Sequence, residues 1–206
     1  KTGTLTEGVV RLDGALDPDG QPSTTVLNYT YLNSQYQTGM DNPLDDAVSA
    51  YAQQAGAKSG AEQKVDEIPY DFVRKCLSVV TANAQGERTL ITKGALENIL
   101  KICTQVQAGD GSHALDEKTL AAIDEHYSAW SDKGFRVLGV AVRSLDGQAA
   151  SYSSADEKGM TFIGFLLFFD PPKADVEQAI VDLAQRGVDL KIITGDNEKV
   201  ARHVAE

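Results

Sequence analysis

The sequence predicts an α/β protein in which a mainly antiparallel sheet with flanking helices is followed by a smaller parallel unit. In the middle of the chain, strand-like runs joined by short turns alternate with amphipathic helical segments. Further on, a continuous apolar run at 162–169 precedes a helical segment, a second apolar run and another helix. This order of strand, helix, strand and helix is typical of parallel strands joined by helical crossovers.

Helices are predicted early in the chain. Residues 14–25 are rich in turn formers and predict a loop, whereas 26–37 predict a helix. The stretch MDNPLDDAVSAYAQQAG, residues 40–56, predicts a second helix. Asn42 can cap its start, and Pro43 suits the first helical position because it lacks an N–H there.

The central segment is predicted to be richer in strands. Within 65–93, KCLSVVTA and RTLITK flank NAQGE, which is the pattern of two strands joined by a hairpin turn. Apolar residues at helical spacing predict helices over 94–103 and 116–133. Residues 135–145, FRVLGVAVRSL, contain several β-branched valines and predict another strand.

Charge and composition exclude some classes of function. The 206 residues carry 19 basic and 30 acidic side chains, a net charge of −11, which repels a nucleic-acid backbone. An acidic protein can still bind a nucleotide that arrives with a divalent cation. Cys76 and Cys103 lack metal-ligand spacing, so a reducing compartment is the simpler interpretation. The apolar run at 162–169 has eight residues, against the ~20 of a spanning helix.

Polar turns follow the two C-terminal apolar runs, in FFDPPK and IITGDN. Parallel α/β sheets bind ligands beyond the carboxyl ends of their strands, so Asp170 and Asp196 are expected near each other. Thr194, Gly195 and the start of the next helix would face a phosphate there. For either aspartate alone, the default explanation is structural, namely helix capping for Asp196 and a turn before Pro171 for Asp170. Only the two together at adjacent strand ends bring a binding site level with that explanation.

The opening KTGTLTEG allows two interpretations. It can be a polar terminus leading into a strand, since threonine is β-branched. It can also be a phosphate site, because Gly3 frees the backbone to turn its N–H groups towards an anion.

Together, KTGTLT, DPPK and TGDN, in this order around a long insert, resemble the P-type ion-pumping ATPases. In that family an aspartate directly precedes the first motif and accepts the γ-phosphoryl of ATP, and water then hydrolyses the acyl phosphate so formed. The resemblance implies that the catalytic residues lie in all three motifs. They are Lys1, Thr2, Thr4, Asp170, Thr194, Gly195 and Asp196, with Thr2 also at the metal.

The same resemblance makes the long insert a nucleotide-binding domain. IPYDFVRKCLSVV matches the strand whose aromatic stacks on adenine, which selects Phe72, with Arg74 and Lys75 nearby. TKGALENIL matches the family's KGA signature at Lys93 and Gly94. Without the resemblance, Phe72 would be assigned to the core and Lys93 to the solvated surface.

Two further positions follow from the family pattern. GFRVLGVAVR matches a strand whose arginine, here Arg136, neutralises phosphate charge, although a surface ion pair would also explain it. NPLDDAV matches a stretch where many members place a glutamate near adenine. The position here carries Asp45 or Asp46, and acids in a first helical turn also suit the helix dipole.

The resemblance therefore implies a P-type cation-transporting ATPase that uses ATP and Mg²⁺, most like the magnesium-importing branch. The transported cation would pass through membrane helices outside this chain, and the domain would face the cytosol. The predicted pieces are 1–8 and 170–206 from the haloacid-dehalogenase-like phosphorylation domain, and 9–169 from the nucleotide-binding domain. Asp170, Pro171 and Pro172 would form the hinge between them.

Two alternatives remain at this point. A phosphatase of the haloacid dehalogenase type shares TGD-like strand ends, but it would need its own nucleophile. A nucleotide-sensing module would bind ATP without turning it over. Phosphate release separates the first alternative from the ATPase, and ATP titration with and without Mg²⁺ separates the second.

Overall fold

The computed structural model describes residues 3–39, 42–57, 61–109, 111–147, 149–191, 193 and 198–205. In these residues eight strands form one sheet, and six α-helices accompany it. The strands are β1 Arg11–Leu16, β2 Gln63–Asp71, β3 Cys76–Ala82, β4 Arg88–Ala95, β5 Cys103–Ala108, β6 Gly111–Ala114, β7 Arg136–Leu145 and β8 Met160–Phe169. The helices are α1 Thr24–Tyr36, α2 Pro43–Gln54, α3 Leu96–Ile102, α4 Glu117–Asp132, α5 Val176–Gln185 and α6 Glu198–Ala205.

The sheet is mainly antiparallel, as predicted. Its order is β2-β3-β4-β7-β8-β5-β6, and β1 also pairs with β8. Only the β5–β8 pairing is parallel among the described strands. The mixed α/β class predicted from the sequence is therefore confirmed.

Local side-chain chemistry sets several element boundaries. Asn42 Oδ1 accepts the Leu44 N–H at 3.1 Å, with Pro43 at the first position of α2, so the predicted cap is confirmed. Asn83 caps the β3–β4 hairpin turn, where its Oδ1 accepts the N–H groups of Gln85 and Glu87. These bonds satisfy backbone donors that the ladder leaves unpaired.

Two apolar layers cover the two faces of the sheet. One face packs against α1 and α2 through side chains that include Val26, Val48 and Phe168. The other face packs against α3 and α4 through side chains that include Ile99, Ile123 and residues of β8. Burial of apolar area on both faces supplies the main stabilisation.

A bulge in β8 assigns its residues to these two layers. The pairing with β7 shifts between Val140 and Ala141, so Phe162 and Phe165 lie on the same face, whereas Ile163 lies on the other. Gly164 has φ 147°, and a Cβ there would lie 1.9 Å from the Leu16 carbonyl oxygen. Glycine is therefore required at position 164, where β1 pairs with β8.

The predicted parallel unit is wrong in its pairing. β8 forms a strand, but its two edges are already occupied, one by β7 and the other by β1 and β5. Neither edge of β8 is left for residues 188–191 and 193, which are exposed and outside any strand. The helices predicted before and after this stretch are present as α5 and α6. Gly187 lies just after α5, with φ 74°.

Two shorter differences also arise from pairing. The loop predicted over 14–25 begins with the last three residues of β1, because pairing with β8 overrides the local turn composition. The helix predicted over 94–103 ends at Ile102, and Cys103 starts β5. The β5–β6 hairpin was not predicted.

Candidate functional site

The described candidate residues lie at one end of the sheet. β3 begins, β4 ends, β7 begins and β8 ends at this edge, because neighbouring strands in this part are antiparallel. Lys93 on β4 stands opposite Leu77 of β3 and Val140 of β7. With about 4.8 Å between neighbouring strands, the edge from β3 to β8 measures about 14 Å.

The first cluster joins Asp45, Lys93 and Ser34 on the α1–α2 face. The Lys93 ammonium donates to Asp45 Oδ1 and, at 2.6 Å, to Ser34 Oγ. Ser34 Oγ in turn donates to Asp45 Oδ1 at 2.7 Å. The side chains of Lys93 and Asp45 are only 4% and 7% exposed, so this ion pair is buried.

The cluster has one unsatisfied atom. Asp45 Oδ2 is buried and accepts no hydrogen bond from the residues that the structure describes, although Oδ1 accepts two. A buried acceptor without a donor is costly, so it marks a place where a donor from elsewhere would be stabilised. Burial lowers the pKa of Lys93, and the neighbouring Asp45 carboxylate opposes this effect. Asp46, the other candidate, is exposed.

Phe72 lies in the turn between β2 and β3 and is 79% exposed. Its ring meets Tyr70 edge-to-face, with centroids 5.4 Å apart. The turn is nevertheless well ordered by hydrogen bonds, because Asp71 Oδ1 accepts the N–H groups of Val73 and Arg74. These bonds, that from Arg74 foremost, lower the pKa of Asp71. Phe72 is therefore not a core residue but an exposed ring on a braced turn.

Lys75 and Gly94 form the contact between this turn and the end of β4. Lys75 adopts φ 52°, and its carbonyl accepts the Ala95 N–H at 3.0 Å. A Cβ at Gly94 would lie 2.4 Å from the Lys75 carbonyl oxygen. The space beside Gly94 is thus filled by the chain itself, which explains why a glycine is needed there.

Arg74 belongs to a second cluster on the opposite face. Its guanidinium donates to both carboxylate oxygens of Glu157, at 2.6 Å to Oε1, and to the Pro69 carbonyl at 2.7 Å. Ser78 also donates to Glu157 at 2.6 Å and bonds Thr92 at 2.7 Å. Successive strand residues point to opposite faces, so Thr92 places this network behind Lys93.

Arg136 begins β7 and is exposed. It lies four residues from Val140, the residue opposite Lys93, and therefore on the same face about 13 Å away at ~3.3 Å per residue. Its Cα partner is Phe168, two residues before Asp170. Arg136 thus stands between the buried ion pair and the end of β8.

The opening stretch and the residues after β8 lie together. Thr6 Oγ1 donates to Asp170 Oδ2 at 2.6 Å, and the Gly8 N–H donates to Asp170 Oδ1 at 3.0 Å. The Glu7 N–H donates to the Pro171 carbonyl at 2.9 Å, so the two crossings of the chain are joined by backbone as well. We refer to Thr6, Gly8 and Asp170 as the clasp.

Among the other predicted catalytic residues, Thr4 is described and exposed. The remaining ones lie outside the described residues, namely Lys1, Thr2, Thr194, Gly195 and Asp196. In the part of the chain that is described, no group of three or more His, Cys, Asp or Glu side chains could hold a metal ion. The same part contains no helix with the length and apolar character needed to cross a membrane.

Sequence reasoning missed Ser34 and Glu157. Ser34 lies in the last turn of α1, and Glu157 follows a short 3₁₀ turn in a polar segment. Neither stands in a motif, and each meets its partners only through folding. Helical periodicity could have supplied one signal for Ser34, because it places this serine on the face of α1 that covers β4.

The family profile described as P-type ATPase, cytoplasmic domain N, matches residues 25–175. The match covers strands β2 to β8, nearly all of α1, helices α2 to α4 and both the Asp45–Lys93 and the Arg74–Glu157 ion pairs. The chain belongs to this family.

Relatives in the family include ion pumps. The magnesium-transporting ATPase, P-type 1, of Salmonella typhimurium strain LT2 is 40% identical over 206 residues, which is 99% of this chain and 23% of that protein. The protein of the same name in Escherichia coli K12 shows the same identity and coverage. The endoplasmic reticulum-type calcium-transporting ATPase 2 of Arabidopsis thaliana is 33% identical over 69% of this chain. The chain thus spans about a quarter of the length of its magnesium-transporting relatives.

Proposed function

We propose that this region binds ATP with Mg²⁺ along the end of the sheet, with adenine at Phe72, Asp45 and Lys93. The triphosphate would extend past Arg136 towards the clasp. The observation that carries the proposal is the order of these residues across β3, β4, β7 and β8. The groups come in the order of the exposed Phe72 ring, the buried acceptor Asp45 Oδ2, the exposed Arg136 and the clasp. Together they extend over a distance that one nucleotide can span.

Adenine recognition would combine stacking with one specific hydrogen bond. The exposed face of Phe72 suits a purine, and Asp45 Oδ2 would accept from the exocyclic amine of the base. Because Lys93 and Asp45 are nearly fully buried, the base reaches them only after the side chains that cover them move. This requirement favours a modest affinity, since part of the binding energy is used for the rearrangement.

The triphosphate carries several negative charges into a protein with a net charge of −11. Mg²⁺ would enter with the nucleotide and compensate this repulsion, and Arg136 would add a planar set of donors for the phosphate oxygens. Arg74 is engaged with Glu157 on the other face, so we assign it to bracing the Phe72 turn.

In the complete protein, the γ-phosphoryl group would pass to an aspartate that directly precedes Lys1. An oxygen of this carboxylate would bond to phosphorus while the bond to the β–γ bridging oxygen breaks, and ADP would leave. Water would then hydrolyse the acyl phosphate. Catalysis would rest on positioning and charge neutralisation, with Lys1, Thr2, Thr4, Thr194, Gly195 and Asp196 around the transferred group and the metal at Thr2.

We further propose that the transported ion is magnesium and that the domain works on the cytosolic side of a membrane. The support is the identity of 40% across 99% of the chain to proteins named magnesium-transporting ATPase, against 33% across 69% for a calcium-transporting one. Residues 9–169 would form the nucleotide-binding domain, with the clasp and Pro171–Pro172 at its hinge to the 1–8 and 170–206 pieces.

Calorimetric titration with ATP and Mg²⁺ tests the proposal through Phe72→Ala. Binding should weaken by ~1–3 kcal/mol, the contribution of one base–aromatic stack. Val73→Ala is the matched control, because Val73 is the next residue of the same turn and is 84% exposed. Unchanged affinity in folded Phe72→Ala, or an equal loss in Val73→Ala, would remove the basis for the adenine site.

A further inference from the structure

We propose that Ser34 is a positioning residue of the adenine site, whose hydroxyl orients the Asp45 carboxylate and the Lys93 ammonium towards the base. This inference rests on the proposed function and extends it to a residue of α1. Ser34 is buried and stands 11 residues before Asp45 and 59 before Lys93, so only the fold brings the three together.

Hydrogen-bond chemistry gives this triangle a single polarity. An ammonium can only donate, so Ser34 Oγ accepts from Lys93 Nζ at 2.6 Å. The one hydroxyl proton is then donated to Asp45 Oδ1 at 2.7 Å. A hydroxyl with one bond in each direction cannot reverse either bond without leaving a buried charge unsatisfied.

This polarity determines which carboxylate oxygen remains available. Asp45 Oδ1 accepts from both Ser34 and Lys93, whereas the buried Oδ2 accepts from no donor within the described part of the chain. The carboxylate is thereby held with one saturated oxygen and one acceptor left for a ligand N–H. Without the Ser34 hydroxyl, the carboxylate can rotate and share Lys93 between both oxygens.

The support for Ser34 also comes from the neighbouring residue of α1. Asn33 donates from Nδ2 to the Ile91 carbonyl at 2.8 Å, which ties the helix to β4 two residues before Lys93. The helix therefore cannot shift along β4 to compensate for a lost hydroxyl at Ser34. The role of Ser34 is thus distinct from the packing of the helix.

Selectivity between ATP and inosine triphosphate provides a readout that a merely structural role would not move. The base of inosine triphosphate carries a carbonyl in place of the amine, so Asp45 Oδ2 should disfavour it. We expect Ser34→Ala to weaken ATP binding about tenfold and to bring the ratio of the two affinities close to one. Ser34→Thr, which retains a hydroxyl, should restore the ratio.

Thr30→Val is the matched control. Thr30 is a buried residue one turn earlier in α1, and its hydroxyl donates only to the Val26 carbonyl at 2.7 Å in the contacts described. This variant should retain the selectivity of the original chain. If Ser34→Ala does not fold, Ser34→Cys serves in its place, because a thiol has similar size but is a weak donor.

The outcomes separate the inference from the proposed function. If the original chain binds neither nucleotide, both are overturned. If it prefers ATP and folded Ser34→Ala or Ser34→Cys retains the same preference, only the role of Ser34 is overturned. Loss of the preference in the Ser34 variant, recovery in Ser34→Thr and no change in Thr30→Val support the inference.

Discussion

Two buried ion pairs lie back to back at the end of β4, and they differ in how completely they are satisfied. On one face, Glu157 has both carboxylate oxygens bonded by Arg74 and a third bond from Ser78. On the other face, Asp45 Oδ1 accepts from two donors, and Oδ2 accepts from none among the described residues. Thr92 and Lys93, adjacent in sequence, belong to the two sides.

This difference indicates different roles for two similar pairs. A saturated buried pair offers nothing to a ligand, so the Arg74–Glu157 cluster holds the Phe72 turn against the sheet. An unsaturated pair retains a carboxylate oxygen that can accept a hydrogen bond from a ligand. At a proposed ligand site, a buried charge is therefore better assigned by its remaining hydrogen-bond capacity than by its charge or its position near a motif.

The largest expected effect concerns the saturated pair. Glu157→Ala removes the partner of a partly buried guanidinium, so the free energy of unfolding should fall by about 3–5 kcal/mol in denaturant titrations. Glu97→Ala is the control, because its ion pair with Lys101 is exposed and should contribute little. Equal unfolding midpoints for Glu157→Ala and Glu97→Ala would contradict the structural role of the cluster.

A smaller effect is expected at the unsaturated pair. Asp45→Asn offers an amide N–H in place of an acceptor, so ATP binding should weaken about tenfold while inosine triphosphate binding weakens less or improves. Asp46→Asn is the matched control, since Asp46 occupies the same first turn of α2 but is exposed. The assignment of Asp45 fails if Asp46→Asn changes the nucleotide preference and Asp45→Asn does not.

The smallest expected effect concerns the buried thiol of Cys76, which lies beside Arg74 on the same face of the sheet. Burial, with Glu157 adding to it, raises the pKa of Cys76 from 9.0 to about 11. An unfolded chain releases this proton first, so stability should fall as pH rises from 9 towards 11. Between pH 8 and 10 the loss from this thiol is about 1 kcal/mol.

Cys76→Ala should remove that part of the alkaline loss whatever it does to stability at neutral pH. Denaturant titrations at pH 8 and pH 10 for both chains give the difference directly. An alkaline decline of the same size in Cys76→Ala would show that this thiol is not the titrating group.

Much of the fold could be predicted because it depends on local pattern. The Asn42–Pro43 start of α2, the 83–87 turn and the apolar strand at 162–169 each carry their signal within a few residues. The partners of β8 could not be predicted in the same way. Its apolar run indicates burial on both faces, but does not say that β7, β1 and β5 already fill its edges.

The candidate site shows the same limit. Family motifs selected Lys93 and left Asp45 and Asp46 as alternatives, and burial of Asp45 against Lys93 now distinguishes the two aspartates. The partner of Arg74 is 83 residues away in a segment without a motif, so its engagement could not be inferred. Long-range hydrogen bonds of this kind depend on tertiary packing rather than on spacing.

The most direct test of the central claim compares amide chemical-shift changes on adding adenosine and on adding ATP with Mg²⁺. Adenosine should perturb Phe72, Asp45 and Lys93 but leave Arg136 and Gly8 unchanged. ATP should extend the perturbation to Arg136 and Gly8, because the triphosphate follows the end of the sheet. A shallow cavity lined by Asp17, Ser23 and Gln107 lies towards the other end and provides the internal reference. Changes centred on that cavity, or an identical pattern for adenosine and ATP, would contradict the account.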